Sequence, residues 1–480
     1  MNIYDEWKEY SENKTLIFHV DVNSAFLSWS AVKRLKEDPG AVDLRTIASA
    51  VGGDKKTRHG IITAKSIPAK KYGIVTGEPV VKALQKCPSL VLVSGDYQSY
   101  HEYSHAFIEI LKSYTPLVEQ VSVDEAFLDM TGFENIYGKY ATSECPYPIC
   151  LAERIKDEIR DSLGFTVNVG ISSNKLLAKM ASDFTKPDRI HTLFLSEIRQ
   201  KMWPLDIGDL YGCGKSSAAR LRSFGIKTIG DAARSQIELL CSYMGDNAGT
   251  YIFESCNGHG SSNVHISRDE AKSYSNETTV SEDITADNFD TKIPPAIRWL
   301  SESVASRLRA DGVFANTIGV SAKTETFRRF SRQMTIDDST SQTETIYFFA
   351  MQLIKELLFG YEGSGSKSFE GLFSKGFSIR LIGVSATGLD HGEYKQMNLF
   401  DMGSLGSTNP GTENAPSILN KTLFGSNSEK ERKLNAMTDQ IRSTYGKKAL
   451  LTGEALLNKQ NNDHKKDKEA KDKEAKEVET

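Results

Sequence analysis

The chain has 480 residues, enough for roughly two to four domains with cores of their own, and its 39% hydrophobic and 25% charged content is ordinary for a soluble protein. No apolar run approaches the ~20 residues needed to cross a bilayer, and the polar, acidic stretch from Met1 to Asn13 does not read as a signal peptide. Membrane-embedded and secreted classes are therefore set aside, and a cytoplasmic location is expected. The six cysteines (Cys87, Cys145, Cys150, Cys213, Cys241, Cys256) form no CxxC pair and have no partnering His spacing, so they read as reduced and structural rather than as a zinc site. The net charge of −4 argues against a nucleic-acid partner only as a sum over the chain. Phosphate contacts depend on the field within about 10 Å at 0.1 M salt, and the local charge is uneven.

The first predicted element is an apolar strand from Leu16 that ends in Asp21, followed by the small and polar residues Asn23, Ser24 and Ala25 and then Phe26. An acid at the end of a buried strand reaches a cleft while the strand stays packed; the competing reading makes Asp21 a cap of the following helix. Residues 53–72 then gather Lys55, Lys56, Arg58, Lys65, Lys70 and Lys71 against a single Asp54. In Ser122–Asp129 two adjacent carboxylates, Asp124 and Glu125, lie between apolar residues that read as strand. Neighbours on a regular strand point to opposite faces, so the pair converges only in the tight turn of a hairpin, with Val121 and Val123 on one arm and Phe127 and Leu128 on the other. Such a turn invites a hard cation with oxygen ligands, Mg²⁺ in particular. Asp21, Asp124 and Glu125 together suit two Mg²⁺ about 3.5–4 Å apart, the arrangement used for in-line displacement at phosphorus. An exposed turn is the alternative for the Asp-Glu pair. Val167, Val169 and Ile171 alternate with Asn168, Gly170 and Ser172 as a strand, which feeds a helical run from Asn174 to Phe184. Mixed strands and helices of this kind suit an antiparallel sheet backed by helices, an α+β layer.

Residues 187–258 carry few strand signals. There Gly212-Cys213-Gly214-Lys215 reads as a glycine turn opening a helix, either a plain joint between two packed helices or a way to present backbone N–H groups to a phosphate. Residues 259–272 read as a polar linker. A second α+β unit follows, with strands near Ser273–Thr279, Thr317–Thr324, Arg329–Ile336 and Ile379–Ser385 and two helices, one with Ile297, Leu300, Val304 and Leu308 on one face and ended by Gly312, the other over Ile346–Leu358. That order, βαββαβ, is ferredoxin-like. Residues 304–333 hold Arg307, Arg309, Lys323, Arg328, Arg329 and Arg332 against Asp311 and Glu325, and 361–376 reads as an enlarged flexible loop. Beyond Asp401, Leu434, Met437 and Ile441 mark one short helix, and Lys459–Thr480 is a Lys/Asp/Glu run of the composition of a disordered tail.

Taken together, FHVDVNSAFLSW (18–29), GIITAKSIPAKKYGI (60–74), SVDEAFLD (122–129), NVGISSNKLLAKMASDFTKP (168–187), Gly212-Cys213-Gly214 and IRLIGVSATGL (379–389) resemble the Y-family DNA polymerases, of the bacterial DNA polymerase IV type, over roughly residues 14–400. The resemblance implies an α+β right-hand polymerase: a ferredoxin-like palm (14–24 and 95–186), small fingers (25–94), a helical thumb with a helix-hairpin-helix (187–258), a linker (259–272), a βαββαβ little finger (273–390), and a clamp-binding motif with a largely disordered tail (391–480). It implies low-fidelity translesion synthesis by a monomer acting on primer-template DNA and deoxynucleoside triphosphates. Two Mg²⁺ would be held by Asp21, Asp124, Glu125 and the Val22 carbonyl. Thr63, Lys70 and Lys186 match positions that contact the triphosphate, and Phe26 matches the position that selects the sugar. Gly212, Gly214, Lys215, Lys323, Arg328, Arg329 and Arg332 are the expected DNA contacts. Gln396, Leu399 and Phe400 resemble a motif for the bacterial sliding clamp. The chain departs from the pattern at Ile67, where a tyrosine is frequent, at Ala64, where a hydroxyl is frequent, and at Asn23, where many relatives have Asp. Two other readings stay open on sequence alone. One is a catalytically silent DNA-binding scaffold on a polymerase fold; the other is a nucleotide cyclase, which Gly52-Gly53-Asp54 superficially invites.

Overall fold

The computed structural model describes residues 15–53, 60–267, 270–361, 369–392, 428–446 and 449–450. The chain divides into two compact units, 1–269 and 270–480. Among the described residues no helix is long and apolar enough to cross a membrane.

In the first unit β1 (Ile17–Val22) leads into α1 (Ala25–Glu37). A small sheet follows, made of β2 (Ser49–Gly52), β3 (Ile62–Lys65) and β4 (Val91–Val93), with α2 (Ile67–Lys71) and α3 (Val80–Lys86) between β3 and β4. Its order is β3-β2-β4, and β2 runs parallel to β4. Then come α4 (Tyr97–Tyr114), the hairpin β5 (Val118–Gln120) and β6 (Glu125–Asp129), α5 (Glu134–Tyr137), α6 (Ile149–Leu163), β7 (Val167–Ser172), α7 (Lys175–Asp183) and β8 (Ile190–Thr192). The main sheet has the order β5-β6-β1-β7-β8, antiparallel except for the last pair.

Strand alternation explains how this sheet serves both a core and a site. Phe18, Val20, Val22, Val167, Val169 and Ile171 enter one cluster with Phe107 and Leu111 of α4 and Ile155 and Ile159 of α6. Each such side chain contributes about 1.5–3 kcal/mol on burial. The residues between them, Ile17, His19 and Asp21 on β1 and Asn168, Gly170 and Ser172 on β7, take the opposite face, where Ile17 packs with Ala178 of α7. That second face is also covered, so all six residues of β1 and of β7 are buried. Asn174 caps α7 by accepting from the Leu177 amide at 2.9 Å.

The structure moves several sequence-based boundaries. Val121 and Val123 are not on a hairpin arm: the arms are 118–120 and 125–129, and both valines lie in the connecting turn. Residues 190–192, expected in the helical region, add β8 to the main sheet through its pairing with β7. Helix α1 is shared, because Ala25, Trp29 and Val32 enter the main core while Leu27 and Ala31 pack with Val51 of the small sheet. The expected linker is partly docked: Val264 packs against Ile17, Phe127 and Ala178, and the His265 amide donates to Glu119 Oε2 at 2.8 Å. One half-buried valine together with backbone hydrogen bonds, including Lys175 N–H to the Ser261 carbonyl at 3.0 Å, anchors it.

The helical region holds α8 (Ile198–Lys201), α9 (Lys215–Ser223), α10 (Ile229–Ala233), α11 (Ile237–Met244) and α12 (Asp246–Cys256). Its core includes Leu176, Leu177, Met180 and Ala181, so α7 joins this region to the main sheet.

The second unit is β9 (Ser273–Ile284), α13 (Phe289–Ala310), β10 (Phe314–Thr324), β11 (Arg329–Thr340), α14 (Thr343–Phe359), the two-residue strands β12 (Gly360–Tyr361) and β13 (Phe369–Glu370), β14 (Ile379–Asp390) and α15 (Ser428–Tyr445). The four long strands are ordered β11-β10-β14-β9, the βαββαβ arrangement. Ile297, Leu300, Val304 and Leu308 are fully buried, as their spacing implies. Helix α13 starts earlier than expected and runs through Pro294 and Pro295. The two missing N–H groups fall near its N-terminus, where burial of Phe289 and Ile293 holds the first turns. The segment expected as a flexible loop is partly core: Leu372 is fully buried, and Phe373 and Phe377 pack beside it. Residues 362–368 lie outside the described ones. Helix α15 is longer than expected, and Leu434 and Met437 are exposed on it. It is held by charge instead: Arg309 makes a two-point ion pair with Asp439 at 2.6 and 3.1 Å, and Arg442 pairs with Glu302. The Lys459–Thr480 run lies outside the described residues.

Candidate active site

Asp21 and Glu125 are paired in register across β1 and β6, so both side chains leave the same face of the sheet at the same height. Asp124 is the last residue of the hairpin turn. Its carbonyl accepts from the Val22 amide at 2.9 Å, and its carboxylate accepts from the Ser122 hydroxyl at 2.6 Å. The turn closes on Glu125, whose carbonyl takes the Val121 and Ser122 amides at 3.0 and 3.3 Å. The adjacent acids thus escape strand alternation because the first belongs to the turn and the second opens the strand.

Two ammonium groups meet these carboxylates. Lys179 of α7 lies 2.9 Å from Glu125 Oε1 and 3.4 Å from Asp21 Oδ2, and Lys186 lies 2.7 Å from Asp21 Oδ1. Both also reach Asp183, at 3.3 and 2.9 Å. Behind Glu125 is His19, fully buried. The Ser182 hydroxyl donates to the Lys179 carbonyl at 2.9 Å, so its oxygen accepts from His19 Nδ1 at 2.8 Å. That leaves Nε2 facing Glu125 Oε2 at 3.6 Å, with no hydrogen-bond partner among the described residues. Burial pushes the Asp21 carboxyl up, to about 6, against the pull of Lys186 and Lys179. Burial keeps His19 itself below its ordinary value.

The donor set is therefore made of hard oxygens at a buried, electrostatically strained point, with positive charge already drawn to it; it fits a divalent cation. As the side chains stand, no three Asp, Glu, His or Cys groups among the described residues converge closely enough to hold a metal. Lys179 bridges two of the acids, and Asp124 is turned to Ser122. Sequence reading missed Lys179, His19 and Asp183. The signal was present: His19 is two residues from Asp21 on the same strand face, and Lys179 and Asp183 are one helical turn apart.

Asn23 is buried and explains its own identity. Its amide nitrogen donates to Asn168 Oδ1 at 3.0 Å while its oxygen accepts from Thr166 Oγ1 and the Asp188 amide, each at 2.9 Å. A carboxylate could not supply the donor. Phe26, in the first turn of α1, stacks on Tyr100 at 4.7 Å and 17°, with Tyr97 edge-on and Trp29 tilted against it. Thr63 is half-buried and donates to the Val51 carbonyl at 3.2 Å. Lys70 is exposed on α2, whose N-cap Ser66 accepts from the Ala69 amide at 3.0 Å. Burial, and then the charge of Lys70, lower the neighbouring Lys65 ammonium. Ile67 is about half exposed, so nothing there stacks as a tyrosine would. Lys55, Lys56 and Arg58 lie outside the described residues.

Gly212 has φ 84°, and Tyr251 packs where a side chain would be, which restricts the position to glycine. Gly214 is the N-cap of α9 and Lys215 its first residue, both exposed. The element before the turn is one 3₁₀ turn, Ile207–Asp209, rather than a full helix. In the second unit the basic cluster seen in sequence is divided by the pleat. Arg329, Ser331 and Gln333 face away from the helices, whereas Phe330, Arg332 and Met334 lie opposite Ala322, Val320 and Ile318 of the core face. Arg332, one of the expected DNA contacts, has its side chain on the helix side, where it pairs with Glu356 at 2.8 Å and covers Tyr361. Arg309 is committed to Asp439, and Arg307 donates to the Ser275 carbonyl at 2.8 Å. Lys323 and Arg329 remain on the open face, beside a groove of about 350 Å³ lined by small residues such as Gly319, Ser321, Gly383 and Ser385. Arg329 pairs there with Glu277 at 2.6 Å, and Arg328 lies over Phe330 and Phe377. Gln396, Leu399 and Phe400 fall outside the described residues.

Comparison with known proteins places the fold in a known family. Residues 20–183 match the model of the impB/mucB/samB family, and residues 271–399 that of the impB/mucB/samB family C-terminal domain. DNA polymerase IV of Clostridium acetobutylicum is 39% identical over 437 residues, 91% of this chain and 97% of that protein. DNA polymerase IV of Alkaliphilus oremlandii is 31% identical over 433 residues, 90% and 96% of the two chains. DNA polymerase IV 1 of Bacillus subtilis is 32% identical over 391 residues, 80% and 85%. Among solved structures, a Y-family DNA polymerase chimera superposes with a TM-score of 0.62 at 23% identity, over 78% of this chain and 98% of that one. With both family models matched in order along a chain of polymerase fold, the protein belongs to the impB/mucB/samB family.

Proposed function

We propose that the chain is a template-directed DNA polymerase of the low-fidelity translesion type, adding deoxynucleotides to a primer 3′ end. The observation that carries this reading is the pairing of Asp21 with Glu125 across β1 and β6, with Asp124 one residue away and lysines at hand. Phosphoryl transfer needs positioning and charge more than reactive side chains, and this site offers both. Asp21, Asp124, Glu125 and the Val22 carbonyl would hold two Mg²⁺. When bound, such ions supply Lewis-acid stabilisation of charge on the phosphoryl oxygens. Lys186 and Lys70 attract the triphosphate, and Thr63 lies on the strand beside α2. Gly212, Gly214 and Lys215 offer backbone N–H groups and a cation to a DNA phosphate, while Lys323, Arg328 and Arg329 provide charge on the second unit. One assay separates the three readings: primer extension with Mg²⁺ and deoxynucleotides yields templated product for a polymerase, cyclic nucleotide for a cyclase, and binding without synthesis for a scaffold.

Phe26 is held rigidly by Tyr100 and Trp29, so its ring acts as a fixed wall under the sugar. Phe26→Ala should raise ribonucleotide insertion relative to deoxynucleotide insertion by roughly 10- to 100-fold in single-nucleotide extension. Unchanged discrimination would remove Phe26 from the site.

Gln396-Met397-Asn398-Leu399-Phe400 has the form of a short peptide anchor for an apolar pocket, here that of a sliding clamp. Deleting 396–400 should leave distributive synthesis intact and abolish its stimulation by added clamp. Equal stimulation of both proteins would refute the assignment.

A further inference from the structure

We propose that Lys179 is a displaceable counter-cation: its ammonium holds Asp21 and Glu125 together while no divalent cation is present, and passes to Asp183 when one enters. This rests on the reading of the acids as a metal site. The geometry has three parts. Lys179 is itself buried, 8% exposed, and reaches both carboxylates at 3.4 and 2.9 Å. It can do so because α7 runs hard against β7, where a Cβ on Gly170 would lie 2.5 Å from the Ser182 amide nitrogen. Its alternative partner is already in place, since Asp183 lies one helical turn on at 3.3 Å with its side chain about half exposed (49%). A lysine ammonium is a point charge on a flexible stem, suited to moving between carboxylates a few ångströms apart. An ammonium and a divalent cation cannot share the Asp21–Glu125 pair, because like charges at that separation repel. The linkage is reciprocal: the affinity that the lysine loses to the metal, the metal loses to the lysine.

The test is Ca²⁺ binding to the full chain without DNA, followed by calorimetry and by thermal unfolding. Lys179→Met should tighten the apparent Kd for Ca²⁺ by about tenfold and enlarge the Ca²⁺-induced rise in Tm. A purely structural lysine would lower Tm without tightening Ca²⁺. Asp183→Asn, at an exposed position where folding is safe, removes the second home and should weaken Ca²⁺ by roughly fivefold. Affinity equal to or weaker than wild type in Lys179→Met overturns the proposal; if that variant does not fold, unchanged affinity in Asp183→Asn overturns it alone. Asp21→Asn separates the two levels. If it abolishes Ca²⁺ binding while Lys179→Met fails to tighten it, only the role of Lys179 falls; if Asp21→Asn binds Ca²⁺ like wild type, the metal site falls with it.

Discussion

Asp124→Ala should lose templated primer extension by about 10³-fold or more while keeping its fold and its DNA affinity. Metal-assisted stabilisation of a phosphoryl transition state is worth several kcal/mol, and each 1.36 kcal/mol is about a factor of ten in rate. Asp124 is the cleanest of the three acids to remove. Its carboxylate takes the Ser122 hydroxyl, and its tie to β1 runs through its backbone carbonyl, which alanine keeps. Removing Asp21 or Glu125 would instead leave Lys179 or Lys186 short of a partner in a buried place, mixing a stability loss with the catalytic one. The measurement is extension with Mg²⁺ beside thermal unfolding and salt-dependent binding of primer-template. Extension near the wild-type rate by a folded variant would end the catalytic assignment.

Gly170→Ala should destabilise the first unit by about 3 kcal/mol or more, at the upper end of what overpacking a core does. The added methyl would collide with the Ala178 carbonyl and lie 2.5 Å from the Ser182 nitrogen. Both are backbone atoms of α7, so no rotamer change relieves the contact and the helix must lift from β7. That helix carries Lys179 into the site and contributes Leu176, Leu177 and Met180 to the core of the helical region, so stability and activity should fall together. A loss of this size lowers Tm by roughly 6–12 °C in a domain of this length. An unchanged Tm would mean that α7 and β7 are not in close contact at Gly170.

Much of this site was legible because its residues are close in sequence or tied to strand ends. Asp21 ends an apolar run, Asp124 closes a turn from which Glu125 opens the next strand, and the alternation along 167–172 was visible as such. The misreadings have physical causes. Arg332 looked like a neighbour of Arg329 and Arg328, but a pleat sends consecutive residues to opposite faces, and Glu356 was waiting on the helix side. Leu434, Met437 and Ile441 marked a short helix, which is present and longer, and it is held by Asp439 and Arg442 while Leu434 and Met437 stay exposed. The polar 259–272 segment hid Val264, whose pocket is built from β1, β6 and α7.

Hydrophobic period and turn chemistry are local, and so the chain alone gave most element types and the βαββαβ order of the second unit, and singled out Asp21, Asp124 and Glu125 as candidates. Charge pairing is not local: which ammonium neutralises which carboxylate depends on two strands in register and a helix pressed against them at Gly170. Only tertiary packing could place Lys179 and His19 around Glu125, because burial sets the strength of those contacts and burial is a property of the assembled fold.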